Sequence, residues 1–220
     1  MSQSSPQALL FDLDGTLVDT APDLAMATNR LRQLHGQEAL PYPRIRAQVS
    51  NGGSALVTLA LGLEPSHPDH AAARQTLLDF YAEAVADHSQ VFPPLDRLLL
   101  HWRDRSRPWG IVTNKPRLYA EPLVEALGLQ PGALLCADDL PHKKPHPEPL
   151  LEAARRLSVA PQECWYLGDH VRDMQAARAA GMTAIAVGYG YIAEEDDIRQ
   201  WPADRWFDTA EAVVEALSLP

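Results

Sequence analysis

Cysteine, clustered positive charge and long apolar runs are all scarce in this sequence, and each scarcity narrows what the chain can be. Only two cysteines occur in 220 residues, Cys136 and Cys164. Each falls in an apolar run that reads as a strand, which argues against a disulfide scaffold and for a reduced, cytoplasmic setting. There is no basic tail or Lys/Arg-rich stripe, and the formal net charge is −10. That balance argues against nucleic acid and anionic membranes as partners. It leaves phosphate substrates open, because a bound metal and a few placed cations dominate the local field. No apolar run approaches the length of a membrane span. Met1 to Pro6 has no basic region followed by an apolar stretch, so no secretory leader is expected. Internal repeats and low-complexity segments are also missing. The 46% of hydrophobic residues suffice for one good-sized core with a small satellite.

The stretch Ala8 to Thr20, ALLFDLDGTLVDT, organises the rest. Ala8 to Phe11 is a short apolar run, as expected of a strand buried on both faces of a parallel sheet. It ends in Asp12-Leu13-Asp14-Gly15-Thr16. Side chains at i and i+2 of an extended backbone project to one side, so Asp12 and Asp14 meet at the carboxyl end of a strand. Open α/β sheets place ligands there. Two carboxylates this close repel, and a cation or a proton must lie between them. A hard cation such as Mg²⁺ takes oxygen ligands and often accompanies phosphate. Taken alone, Asp-x-Asp-Gly is also an ordinary turn signal.

After this strand the pattern turns helical. Thr20 is placed to cap a helix with Pro22 in its first turn, and Leu24, Thr28, Leu31 and Leu34 keep helical spacing. A second helix is expected from about Pro43 to Val49, then a loop at Ser50 to Ser54. A third covers Ala55 to Leu61, and a long one Asp69 to Asp87. From Pro93 onward, strands at Trp109–Thr113, Leu134–Ala137, Cys164–Leu167, Thr183–Val187 and Trp206–Phe207 alternate with helices. Alternation of this kind means right-handed βαβ units and a doubly wound parallel sheet. The expected architecture is therefore α/β, with residues 1–17 and 90–220 forming a Rossmann-like core and residues 18–89 a small all-helical domain inserted after the first strand.

Polar groups collect at the strand ends. Beyond Asp12 and Asp14 these are Thr113-Asn114-Lys115, Lys143-Lys144-Pro145-His146-Pro147, and Gly168-Asp169-His170 with Asp173 four residues after Asp169. In a parallel sheet such ends share one edge. The inventory suits phosphoryl transfer: a carboxylate nucleophile, a second carboxyl for proton transfer, a hydroxyl, an amide and a lysine for phosphoryl oxygens, and a divalent cation. Each piece alone has a plainer explanation. Thr113-Asn114 is the chemistry of a helix cap, Lys143-Lys144 that of a solvated loop, and Asp169 and Asp173 suit a helix N-terminus. Asp138 and Asp139 read as a solvated loop, His142 and His146 as solvated histidines, and Trp102, Trp165, Trp201 and Trp206 as packing.

In this order, the four motifs resemble those of haloacid dehalogenase-superfamily phosphatases. The first is Asp12 to Thr20, the second Thr113-Asn114-Lys115, the third Lys144-Pro145-His146-Pro147 and the fourth Gly168-Asp169 with Asp173. The resemblance implies Asp12 as nucleophile and Asp14 as general acid/base. It implies Thr113, Asn114 and Lys144 as phosphate ligands. It also implies Mg²⁺ held by Asp12, Asp14 (through its backbone carbonyl) and Asp169, with Asp173 supporting. The helical insert corresponds to the family's cap. His170 replaces the serine usual in the fourth motif, and Lys143 beside Lys144 leaves open which amine enters the site; Lys144 is chosen because it directly precedes Pro145.

Val112 to Pro116 and Asn51-Gly52-Gly53 are similar to the phosphoglycolate phosphatase branch. Trp109-Gly110, Ala120-Glu121-Pro122 and Tyr189 to Ile192 resemble members that act on N-acetylmuramic acid 6-phosphate. The expected reaction is Mg²⁺-dependent hydrolysis of a small phosphomonoester, 2-phosphoglycolate or N-acetylmuramic acid 6-phosphate, through an aspartyl phosphate. A sugar-phosphate mutase using the same nucleophile is the alternative. Asn51, Gly52 and Gly53 are expected to meet the leaving group, because glycines let backbone N–H groups approach an anion. Their other reading is a turn joining two helices. The expected partner is the small-molecule substrate alone, with no nucleic acid or membrane, for a monomer or homodimer.

Overall fold

The computed structural model describes residues 5–193 and 196–217. The expectation of no leader rests largely on residues 1–4, which lie outside the described residues. β1 (Ala8–Phe11) is buried at all four positions and runs between β4 (Trp109–Val112) and β6 (Cys164–Gly168). With β5 (Ala133–Leu135), β7 (Thr183–Val187) and β8 (Arg205–Phe207), these strands form one parallel sheet in the order β5-β4-β1-β6-β7-β8. The chain moves outward from β1 to β5, then returns to β6 on the other side of β1. That reversal opens a crevice at the carboxyl ends beside β1.

Strand alternation divides the core into two layers. Leu9 and Phe11 pack with Leu98 and Trp102 of α5 (Leu95–Asp104) and Val213 of α9 (Ala210–Leu217). Ala8 and Leu10 face the opposite layer, with Leu150 of α7 (Glu148–Leu157) and Met174 of α8 (Val171–Ala179). Full burial of each such leucine or phenylalanine contributes about 1.5–3 kcal/mol. α6 (Arg117–Ala126) adds Ala120 and Leu123 to the first layer.

Between β1 and β4 lies a helical layer: α1 (Ala21–Leu34), α2 (Tyr42–Arg46), α3 (Gly52–Leu61) and α4 (His70–Ala82). It has its own apolar cluster, with Leu31, Ile45, Leu56, Leu77 and Tyr81 fully covered. The chain leaves through β2 (Val18–Asp19) and returns through β3 (Gln90–Val91), which pair antiparallel. Buried Asp23 of α1 fastens the return crossing. It accepts the backbone N–H of Ser89 at 2.8 Å and the Ser89 hydroxyl at 2.6 Å.

Several local expectations are corrected. The second helix is shorter, ending at Arg46, and a 3-10 turn covers Val49–Asn51. The loop expected over 50–54 is that turn plus the first turn of α3. Gly52, at φ +81° and ψ −179°, makes the junction in a conformation essentially closed to other residues. The long helix stops at Ala82 because the chain must bend back to deliver Ser89 to Asp23. β5 stops at Leu135 because the Cys136 N–H turns to Asp139 Oδ2 at 2.8 Å instead of extending the ladder. Asp139 is accordingly not a solvated loop acid: Arg117 Nε also donates to it, at 2.8 Å. Asp138 accepts the Arg117 N–H at 2.9 Å at the start of α6. Leu34 is exposed, off the buried face of α1. Cys136 and Cys164 are both buried and unpaired.

Candidate active site

Three neighbouring parallel strands deliver Asp12, Thr113 and Asp169 to the same edge of the sheet. Asp14 follows Asp12 on the turn that Gly15 makes at φ +80°. Gly15 is also required by space: a Cβ there would lie 2.1 Å from Asp169 Oδ2. From the other side, a Cβ on Gly190 would lie 2.3 Å from the Asp169 Cβ. Asp169 is thus wedged between two stretches of bare backbone.

Its oxygens are used unequally. Oδ2 accepts the Tyr191 N–H and the Ser50 hydroxyl, both at 2.9 Å. Oδ1 is buried and has no hydrogen-bond partner among the described residues. Carboxylate oxygens of Asp12, Asp169 and Asp173 lie within 4.8 Å of one another. Burial pushes Asp12 up to about 6, with Lys144 opposing and Asp173 adding to the rise. Burial raises Asp169 to about 7, reinforced by the charges of Asp12 and Asp173. Crowded, desolvated acids with an orphaned oxygen fit a hard divalent cation, which takes oxygen ligands and removes the repulsion.

Lys144 is the buried lysine of its pair, and Lys143 is exposed. The Lys144 ammonium lies 2.9 Å from Asp12 Oδ1 and 2.8 Å from Asp173 Oδ1, and it donates to the Tyr166 hydroxyl at 2.7 Å. Burial would lower its pKa, but Asp12 and Asp173 overcome this and raise it. Asp173 also accepts the His170 N–H through Oδ2 at 3.1 Å, completing a capping box on α8. Lys144 is set by Asn114, whose amide donates to the Lys144 carbonyl at 2.9 Å and accepts the Lys144 N–H at 3.1 Å. Both ends of the Asn114 side chain are therefore engaged by the lysine loop, and the amide nitrogen keeps a second N–H donor besides the one given to Lys144. Thr113 is buried, and its hydroxyl accepts the Lys115 N–H at 3.1 Å.

Asp14 has partners that the sequence reading did not assign. Lys115 Nζ lies 2.7 Å from Asp14 Oδ1, and the Thr20 hydroxyl donates to the same oxygen at 2.6 Å. Thr20 sits at the N-cap position of α1 but makes no capping bond there, because its hydroxyl turns to Asp14. The vacated capping role falls to Tyr191, whose hydroxyl accepts the N–H groups of Thr20 at 2.6 Å and Ala21 at 2.9 Å. Lys115 was visible in sequence as the third residue of its motif. Tyr191 and Gly190 had no signal beyond the Tyr-Gly-Tyr run.

The helical layer closes over these groups. Ser50 touches Asp169, and Arg172 donates to the Ser50 carbonyl at 2.8 Å. A cavity of about 340 Å³ remains, lined by Asp12, Asp14, Thr113 and Lys144 below and by Asn51, Gly52 and Gly53 above. The Asn51 amide is turned to Gln48 Oε1 at 3.1 Å. His170 caps α8 by accepting the Arg172 N–H, and burial lowers its pKa to about 4, so it stays neutral. His142 and His146 are exposed and stacked on each other.

Residues 6–181 match the haloacid dehalogenase-like hydrolase family. Across 219 residues the chain is 38% identical to the N-acetylmuramic acid 6-phosphate phosphatase of Pseudomonas aeruginosa, covering 99% of this chain and 97% of that one. It is 40% identical over 205 residues to the phosphoglycolate phosphatase of Xanthomonas campestris pv. campestris, covering 90% of each. The crystal structure of a Haemophilus somnus protein superposes with a TM-score of 0.83 at 24% identity, over 99% of this chain and all of the other; that likeness is one of fold.

Proposed function

The chain belongs to the haloacid dehalogenase-like hydrolases and is a phosphoric monoester hydrolase, and we propose that it cleaves a small anionic phosphomonoester through an aspartyl phosphate on Asp12. 2-Phosphoglycolate and N-acetylmuramic acid 6-phosphate are the two substrates the relatives bring forward. The single observation that carries the mechanism is the placement of Asp12 at the end of strand β1, 2.9 Å from a buried lysine, on the floor of the cavity.

Lys144 keeps Asp12 anionic and draws the phosphoryl group toward it. An Asp12 oxygen attacks phosphorus, the bond to the ester oxygen breaks, and Asp14 delivers a proton to that oxygen. Asp14, then anionic, takes a proton from a water whose oxygen attacks phosphorus; the bond from phosphorus to the Asp12 oxygen breaks, and inorganic phosphate leaves with Asp12 again a carboxylate. Lys115, 2.7 Å from Asp14 Oδ1, holds that carboxyl in place through both halves. Thr113 supplies a hydroxyl to the phosphoryl oxygens. The Asn114 amide keeps a second N–H beyond the one given to the Lys144 carbonyl, and that donor serves the phosphoryl group. Mg²⁺, held by Asp12, the Asp14 carbonyl and Asp169 with Asp173 behind them, would offset phosphate charge and orient the group.

Residues 18–89 act in this reading as a cap that swings on the β2–β3 ribbon, and the Ser50 contacts belong to its closed position. Closure keeps water away while the acyl phosphate forms. Phosphate release from a panel of phosphomonoesters, with and without EDTA, tests the reading. Acid-quenched turnover should show a hydroxylamine-labile phosphoprotein that Asp12→Asn lacks. Release unaffected by EDTA, or turnover by folded Asp12→Asn at the parent rate, ends it. An isomerised sugar phosphate as product would favour the mutase.

A further inference from the structure

The cap side of the cavity carries a single charged group. Among the lining residues contributed by 18–89, which include Asn51, Ser54, Leu56, Leu78 and Tyr81, only Arg74 is ionic. Three of the four other lining cations are already engaged. Lys144 pairs with Asp12 and Asp173, Lys115 pairs with Asp14, and Arg172 donates to the Ser50 carbonyl. Lys143 is exposed, as Arg74 is, but it belongs to the floor side, next to the lysine that serves the phosphoryl group. Arg74, on α4, makes no hydrogen bond or ion pair with any described residue although it borders the same cavity as Asp12. Its stem lies along Gly53, where a Cβ would meet Arg74 Nε at 3.7 Å and Cγ at 3.8 Å. That lane along the glycine brings the side chain to the cavity wall.

A guanidinium presents a planar fork of donors that matches a carboxylate bidentately. The phosphoryl group is served at the floor, so a cation on the cap side answers to the leaving group. The catalytic apparatus supplies no anion for it. We propose that Arg74 is the specificity-determining residue for the leaving group, its guanidinium reading the carboxylate that both proposed substrates carry at the end far from the phosphate. The inference rests on the phosphatase reading above and deepens it. Asn51 and the two glycines then shape the passage, and the arginine reads the charge.

The test compares matched esters that differ in the carboxylate. N-Acetylmuramic acid 6-phosphate is set against N-acetylglucosamine 6-phosphate, and 2-phosphoglycolate against ethyl phosphate, for the parent, Arg74→Ala and Arg74→Lys. The parent should prefer the acid of at least one pair. Loss of a charged hydrogen-bonding partner should cost Arg74→Ala about tenfold or more of that preference in kcat/KM. The loss should fall mainly on KM, and Arg74→Lys should keep part of it. An unchanged preference in folded, active Arg74→Ala overturns the proposal, as does faster turnover of glucose 1,6-bisphosphate than of either acid. A parent enzyme that releases phosphate from none of these esters overturns the proposed function itself.

Discussion

Lys115 Nζ lies 2.7 Å from Asp14 Oδ1, with both side chains largely shielded from solvent. The pair joins the end of β4 to the turn after β1. Thr20, at the root of the helical layer, adds a bond to the same oxygen at 2.6 Å. The carboxyl proposed for proton transfer is thereby held from the sheet and from the foot of the helical layer at once.

Replacing Lys115 by Met keeps the bulk and removes the cation 2.7 Å from Asp14 Oδ1, so that carboxyl keeps only the Thr20 hydroxyl to orient it. kcat should fall by about tenfold or more with KM little changed, as when a group that positions a catalytic side chain is lost. Steady-state kinetics on one ester check it. A kcat equal to the parent's would separate Lys115 from the positioning of Asp14.

Metal and pH should act together on stability. Burial lifts Asp12 to about 6 and Asp169 to about 7, so between the ordinary carboxylate range and those values the folded chain holds more protons than the unfolded one. Stability of the metal-free protein therefore falls as pH rises through that window. A divalent ion binds the charged carboxylates and reverses the penalty. The rise in Tm on adding Mg²⁺ should be small near about pH 5 and large above about pH 7, because protons compete for the same oxygens. Thermal melts across that range check it, and a Tm rise independent of pH would contradict it.

Gly190→Ala should impair metal binding more than folding. The new methyl would lie 2.3 Å from the Asp169 Cβ and 2.6 Å from the Gly15 carbonyl oxygen, both in packed surroundings. Asp169 must then shift from the wedge that aims it. Titration calorimetry should show Mg²⁺ affinity reduced by about tenfold or more, the range expected when a group orienting a ligand is disturbed. Far-UV circular dichroism should stay that of the parent.

The two adjacent lysines should separate cleanly. Lys144→Ala removes the buried partner of Asp12 and Asp173 and should lower kcat by about a hundredfold or more, as loss of preorganised charge does. Lys143→Ala touches an exposed side chain and should change kcat less than about threefold. Steady-state assays on one ester suffice.

The sheet was legible because its strands are short apolar runs ending in polar residues, and period and length alone locate such runs. The meeting of Asp12, Thr113 and Asp169 followed from parallel topology without any knowledge of side-chain contacts. What stayed hidden depends on pairs distant in sequence. Asn114 reads as a free amide until the loop 30 residues later closes on it. Thr20 reads as a helix cap until Asp14 competes for its hydroxyl, and Tyr191 takes over the cap from 171 residues away. Asp139 reads as solvated because its partner Arg117 lies on another element. Local pattern reports secondary structure and strand-end chemistry; it is silent on which polar group claims which.

The Ser50 hydroxyl reaching Asp169 has a consequence for the order of events. Lifting the helical layer takes one of two donors from Asp169 Oδ2 and leaves only the Tyr191 N–H in place. In the proposed cycle, Asp169 is therefore oriented less firmly toward a cation while the layer is lifted than while it is down, and exchange of that ion with solvent falls between turnovers, when the phosphate has gone and the next ester has yet to enter.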